Sequence, residues 1–167
     1  MPLKKLLFYS FMVWTTQFST AQTRTLDELA GEAFTAITTN SQTPDSLYIS
    51  LQEYHMLIER QPMSNSDKSN FKTEVNSFHG NQEREFYSGI TSFRQIYTNE
   101  IARGAEVQLD SVWSQPMEGT RNIFEIKFQI SFQYEEDEEP VLTFLETMVG
   151  TVRRRYSFLS PIVESYE

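Results

Sequence analysis

The chain lacks several residue types and motifs on which common chemistries depend. It has no cysteine among its 167 residues, which excludes disulfides, a thiol nucleophile and a lipidated cysteine anchor. It has only two histidines, His55 and His79, and neither stands in a set with the spacing of metal ligands, so no metal site is expected. It also lacks a Gly-rich phosphate loop and a Gly-x-Ser-x-Gly elbow, which disfavours nucleotide and serine-hydrolase chemistry. No cofactor is expected.

Positive charge is scarce as well. Lysine and arginine number 14 against 23 aspartates and glutamates, and the formal net charge is −9. Such an acidic chain is expected to repel nucleic acid and anionic lipid surfaces and to favour cationic ligands or basic protein partners.

The N-terminus has the three parts of a secretory signal peptide in order. Lys4 and Lys5 precede an apolar run over residues 6–14, and small residues follow up to Ala21. The run is shorter than the roughly 20 residues that span a bilayer, so we expect cleavage after Ala21 rather than an uncleaved anchor. Export to the periplasm or the extracellular space would leave residues 22–167 as a single, soluble domain. Loss of the two lysines would take its net charge from −9 to −11.

The first half of this domain shows the period of amphipathic helices. Thr25 and Glu28 have the spacing of a capping box in front of one helix. Thr43-Pro44 predicts the start of a second helix, which Pro62 ends. A shorter helix is expected from residue 64 to Gly80, and a longer one from there to Gly104.

After Gly104 the apolar period changes to two. Val107, Leu109 and Trp113 alternate with polar residues, and six aromatic or β-branched residues alternate from Phe124 to Tyr134. Further strands are predicted over 141–149 and 151–158, with Gly150 as a bend or bulge between them. Helices followed by an antiparallel meander indicate an α+β fold, with N-terminal helices packed on a curved sheet.

This element order, ending in the strand-like segment Thr151-Val152-Arg153-Arg154-Arg155-Tyr156-Ser157-Phe158, resembles the nuclear transport factor 2-like, or cystatin-like, cone. The resemblance covers residues 25–162 and implies a helix-lined cavity inside a bent sheet. Members of that superfamily include isomerases, dehydratases and binding modules, so the resemblance does not choose between catalysis and binding.

Three residues are candidates for a catalytic role. Glu146 shares a strand face with Leu142 and Phe144; if that face is internal, a carboxylate in an apolar cavity could act as a base. Tyr54 or His55 would assist it. In the alternative, the inner face is defined by the odd-numbered residues of this strand, and Glu146 is solvated.

Arg154, Tyr156 and Trp113 are candidates for ligand binding. Arg154 belongs to the only basic cluster, residues 153–155, and on a strand it would point with Tyr156. The cluster is either an anion site or a set of cross-strand partners for acidic side chains.

The first hypothesis is therefore a non-enzymatic exported module of the bacterial envelope that binds a small ligand or another protein. The alternative is a cofactor-free lyase or isomerase that uses Glu146. Self-association, as a homodimer, or assembly with an envelope protein is the third possibility.

Overall fold

The computed structural model describes residues 23–134 and 139–165. The expected signal segment, residues 1–21, lies outside them. Three helices precede the strands: α1 (Leu26–Thr38), α2 (Leu51–Glu59) and α3 (Asn65–Ala102). Five strands follow: β1 (Glu106–Pro116), β2 (Ile123–Gln133), β3 (Val141–Val152), β4 (Arg155–Phe158) and β5 (Val163–Ser165). None of the described helices combines the length and apolar composition needed to cross a membrane.

The strands form one curled antiparallel half-barrel in the order β1-β2-β3-β4, and β5 pairs with β3. The helices pack against this sheet, which makes the protein an α+β fold, as the sequence predicts. We call the sheet face that contacts α1 the inner face and the opposite face the outer face. The architecture is compatible with a cone-like fold.

The alternation predicted from Phe124 to Tyr134 describes the inner face of β2 as far as Phe132, but Tyr134 lies beyond the end of the strand and is 40% exposed. Ile126, Phe128, Ile130 and Phe132 are all buried, and Phe128 and Ile130 lie against apolar residues of α1. Two ring contacts join α3 to the sheet: Phe86 to Phe158 at 5.1 Å and Tyr97 to Phe132 at 5.1 Å. The core therefore lies mainly between the inner face, α1 and α3, and Leu57 of α2 adds to it.

The predicted capping box of α1 is present. The Thr25 Oγ1 accepts the Glu28 N–H at 3.2 Å, and the Glu28 carboxylate accepts the Thr25 N–H at 2.7 Å. The second predicted helix begins later than expected, because Ser50 and Glu53 form another capping box that starts α2 at Leu51. The preceding segment, residues 47–49, is buried and extended, and it exchanges backbone hydrogen bonds with Phe158.

The expected break at Gly80 is wrong: α3 runs unbroken for 38 residues. Gly80 lies in open space within the helix, where a glycine costs about 1 kcal/mol relative to alanine. Burial of His79 and Phe86 on either side keeps the helix continuous. His79 accordingly lies inside α3 rather than at a helix end, and its Nε2–H donates to the Ile49 carbonyl at 2.8 Å.

The expected bend or bulge at Gly150 is also wrong, because β3 continues through it to Val152 without a shift in register. A Cβ on Gly150 would lie 2.7 Å from a methyl of Leu57, so the glycine allows close approach of α2 rather than a change of direction. The chain reverses instead at Arg153 and Arg154, whose φ angles are 52° and 67°.

A candidate binding cleft on the outer face of the sheet

The sequence predicts a cavity on the inner side, where the structure has a small space. A space between α1 and the inner face, bounded by α1 and apolar residues of β1, β2 and β3, has a volume of about 10 Å³. That is the room of about one water molecule. This space is too small to be the helix-lined cavity that the cone resemblance implies.

An open cleft of about 690 Å³ lies instead on the outer face. Ligand sites for small molecules range from about 300 to 1,000 Å³, so this volume is sufficient for one. Its lining comes from β1, β2, β3, the first residue of β5 and the segment that leads into β5: residues 113–115, 125–127, 146–148, 160, 161 and 163.

The floor of the cleft is a row of residues paired across four strands. Trp113 of β1 lies opposite Lys127 of β2, Lys127 lies opposite Glu146 of β3, and Glu146 lies opposite Val163 of β5. Lys127 Nζ is 3.5 Å from the Glu146 carboxylate. The row places an aromatic side chain at one end, an ion pair in the middle and an apolar side chain at the other end.

Trp113 reaches this face because of a β-bulge. The pairing of β1 with β2 shifts between Leu109 and Ser111, so one extra residue, Asp110, enters β1. Beyond the bulge the facing of the strand is reversed, and Val112 rather than Trp113 packs against the core. The Asp110 carboxylate accepts the Ser131 hydroxyl at 2.9 Å on the outer face.

The exposed tryptophan has aromatic and cationic neighbours. Its ring is 6.5 Å from that of Phe144, at an interplanar angle of 35°. Lys127 Nζ lies 4.5 Å from the centroid of the Phe144 ring, within the range of a cation–π contact. Trp113 nevertheless remains 47% exposed, so one part of a large apolar surface is left uncovered beside polar groups.

Hydrogen-bond donors and hydrogen-bond acceptors both surround the row. Gln115 donates to the Glu125 carboxylate at 2.6 Å, and Ser165 donates to the Glu146 carboxylate at 2.8 Å. Amide, carboxylate, hydroxyl and ammonium groups therefore present donors and acceptors within one cleft.

The structure separates the three catalytic candidates. Glu146 lies in the cleft, on the outer face, because the odd-numbered residues Leu145 and Val149 are internal. Tyr54 and His55 are not part of the cleft lining. They lie on α2 against α3: the Tyr54 ring meets His79 edge-on, burial raises the pKa of Tyr54, and His55 Nε2 is 2.9 Å from Asn76 Oδ1.

Glu146 is also not enclosed by apolar side chains. Its side chain is 47% exposed, and Lys127 and Ser165 are its partners. The described residues thus do not assemble the apolar carboxylate pocket on which the lyase hypothesis depends.

The three ligand-binding candidates occupy different places. Trp113 lies in the cleft. Tyr156 lies on β4, with its ring 5.7 Å from that of Phe124. Val152 pairs with Arg155, which leaves Arg153 and Arg154 as a two-residue turn between β3 and β4. Arg154 is therefore not on a strand, and the prediction that it points to the same side as Tyr156 is wrong.

Sequence reasoning did not find the cleft because it assigned Trp113 to the run of Val107 and Leu109. The available signal was Val112, an apolar residue out of phase with that run and directly after the polar pair Asp110-Ser111. Such a phase change in a strand indicates a bulge.

No set of three or more metal-ligating side chains occurs within the described ranges. Comparison of the chain with protein-family models, with curated proteins and with solved structures finds no match.

Proposed function

We propose that the protein is a non-enzymatic binding module and that its ligand occupies the outer-face cleft. The observation that supports this most directly is the bulge that turns Trp113 out of the core. A tryptophan that could be buried on the inner face is instead left 47% exposed beside the ion pair of Lys127 and Glu146. Bulges that redirect a side chain are over-represented beside functional sites.

The lining favours a neutral ligand with many hydroxyl groups, such as a short oligosaccharide. A purely apolar ligand would desolvate Lys127 and Glu146 without replacing their hydrogen bonds with water, which is costly. A simple ion is also disfavoured, because the cleft holds charges of both signs, on Lys127 and Glu146. A sugar ring offers an apolar C–H face to Trp113 and hydroxyls that both donate and accept, which suits Gln115 and Glu125.

The test uses the fluorescence of Trp113. The chain has two tryptophans, Trp14 and Trp113, so a Trp14→Phe variant of the whole chain has a single reporter in the cleft. Maltotriose, cellotriose and N-acetylchitotriose are titrated into it, with anilinonaphthalene sulfonate as an apolar probe. We expect a saturable fluorescence change with at least one trisaccharide.

Calorimetry with the same trisaccharide then compares two substitutions. We expect Trp113→Ala to weaken binding about 10-fold or more, since a buried aromatic contact typically exceeds 1.4 kcal/mol. Tyr134→Ala is the matched control, because Tyr134 is an exposed aromatic residue outside the cleft lining, 40% exposed. No binding of any trisaccharide, or equal loss in both variants, would refute the proposal; binding of the apolar probe alone would refute the sugar class.

Export and superfamily membership are further parts of the proposal. The tripartite N-terminus supports export, and mass spectrometry of the protein expressed with its native N-terminus should find Gln22 as the first residue; retention of Met1 would count against it.

Helices packed on a curled antiparallel sheet support a relation to the nuclear transport factor 2-like cone. An experimental structure whose strand connectivity differed from that of the superfamily would argue against the relation.

A further inference from the structure

The turn between β3 and β4 combines an unusual backbone with unusual side chains. Arg153 and Arg154 form its two central residues, and both have positive φ, 52° and 67°. This is the geometry of a type I′ turn, which favours Asn-Gly because side chains other than those of Gly, Asn and Asp are strained there. Two arginines therefore occupy positions where smaller residues would make the fold more stable.

Further arginines lie at the same end of the sheet. Arg155 directly follows the turn. The Asn122 carbonyl accepts the Thr151 N–H at 2.9 Å, which brings the loop that contains Arg121 beside the end of β3. Gln61 holds this loop by hydrogen bonds to the backbone of Arg121 and so brings its neighbour Arg60 to the same region. We call Arg60, Arg121, Arg153, Arg154 and Arg155 the basic end.

The basic end is not neutralised by ion pairs among the described residues. The four ion pairs found among the described residues join Arg24 to Glu32, Lys72 to Glu59, Arg103 to Glu100 and Lys127 to Glu146. None involves the basic end, although the chain has 23 carboxylates. The Arg155 side chain donates to the Ser46 carbonyl at 3.2 Å, and no acidic partner for it is found among the described residues. Cross-strand pairing of these arginines with acidic side chains is therefore not found among the described residues, and Glu59, which directly precedes Arg60, pairs with Lys72 instead.

We propose that the basic end binds a compact ligand that carries clustered phosphate groups. Guanidinium groups bind phosphate oxygens in a bidentate manner, and several of them without carboxylate partners match a ligand with more than one negative charge. The net charge of −9 repels an extended polyanion, whereas a compact one touches only this end and is screened from the rest by salt. A soluble oligophosphate and the headgroup of a diphosphate lipid share this chemistry.

The decisive variant is Arg153→Asn/Arg154→Gly. It removes two charges and introduces the residues that the turn geometry favours, so loss of binding cannot result from loss of folding. We expect the thermal midpoint to rise by about 5 °C and the affinity for phosphate ligands to fall about 10-fold or more. Arg84→Gln/Arg103→Gln is the control, because it removes the same charge from exposed positions of the long helix and its C-cap.

Two probes distinguish the sources of phosphate. Tripolyphosphate is titrated by calorimetry, and co-sedimentation is measured with phosphatidylcholine vesicles that do or do not contain cardiolipin. Binding of tripolyphosphate alone identifies a soluble ligand, and binding of cardiolipin vesicles alone identifies a membrane surface. The proposal is overturned if the unsubstituted protein binds neither probe at low salt, or if the control variant loses as much affinity as the turn variant. A fall in the midpoint of the turn variant would contradict the inference that the arginines are kept at a cost in stability.

Discussion

Arg24 is expected to be a major contributor to stability at the start of the described chain. Its side chain is only 6% exposed. The guanidinium donates to the Tyr156 carbonyl from Nε at 2.8 Å and from Nη2 at 2.6 Å, and to the Ser46 carbonyl at 2.9 Å. It also donates to Ser157 Oγ at 3.1 Å and to Glu32 at 2.9 Å. Burial lowers the pKa of Arg24, but an arginine remains charged throughout the range in which proteins fold.

Substitution Arg24→Met would keep the apolar stem and remove every donor. Glu32 is 42% exposed and can be solvated, and the exposed Ser46 carbonyl keeps the Arg155 donor, so the loss comes mainly from the acceptors of Tyr156 and Ser157. Leaving buried acceptors without donors costs about 1–3 kcal/mol each, with partial recovery by relaxation and water. We expect the free energy of unfolding to fall by about 3 kcal/mol.

Urea denaturation followed by circular dichroism measures this loss. With a slope of about 2 kcal/mol per molar urea, the midpoint should fall by about 1.5 M. Arg24→Lys should lose about half as much, because a single ammonium cannot replace the planar fork. Arg103→Met is the control, since Arg103 is 72% exposed in its pair with Glu100 and should change stability by less than about 0.5 kcal/mol. A loss below about 1 kcal/mol for Arg24→Met would refute the assignment of this network as a structural anchor.

Two further predictions concern buried tyrosines. The Tyr97 hydroxyl has no hydrogen-bond partner among the described residues, so Tyr97→Phe should leave the free energy of unfolding unchanged or raise it by up to about 1 kcal/mol. Tyr48→Phe should lower it by about 1 kcal/mol, because Tyr48 donates to the Leu159 carbonyl at 3.1 Å. Urea denaturation of both variants checks this, and a larger loss for Tyr97→Phe than for Tyr48→Phe would contradict it. Burial raises the pKa of both tyrosines above the ordinary value of 10.0, so above pH 10 the unfolded chain releases protons that the folded chain retains. The free energy of unfolding should then fall with rising pH by about 1.4 kcal/mol per unit for each tyrosine, and Tyr97→Phe should remove one such contribution; a stability independent of pH above 10 would exclude it.

The features that the sequence predicts well are those with local causes. The cap of α1 depends on Thr25 and Glu28, which are three residues apart, and the inner face of β2 depends on alternation within one strand. The errors arise where distant contacts decide. Gly80 does not end α3, because His79 and Phe86 are buried against other parts of the chain. Residues 47–49 do not extend α2, because they pair with Phe158, more than 100 residues away.

Neither candidate site could be predicted from the sequence, and the reasons are related. The Arg153-Arg154 turn has none of the residues by which a type I′ turn is normally detected, and its position follows only from the pairing of β3 with β4. The strain at this turn and the lack of ion pairs are both properties of the folded chain. Local sequence therefore identifies the basic cluster but not its exposure.

The cleft depends on a single inserted residue in β1. If Asp110 were absent, the period of two would continue from Leu109, Trp113 would take the place of Val112 toward the inner face, and the row that joins it to Lys127 and Glu146 would not exist. The members of that row are 14 and 19 positions apart, and only the register of three strands places them side by side. A binding face of this kind has no linear motif, because its chemistry is composed across the strands. The alternation along each strand predicts which residues are solvated, but only the bulge determines that a tryptophan is among them.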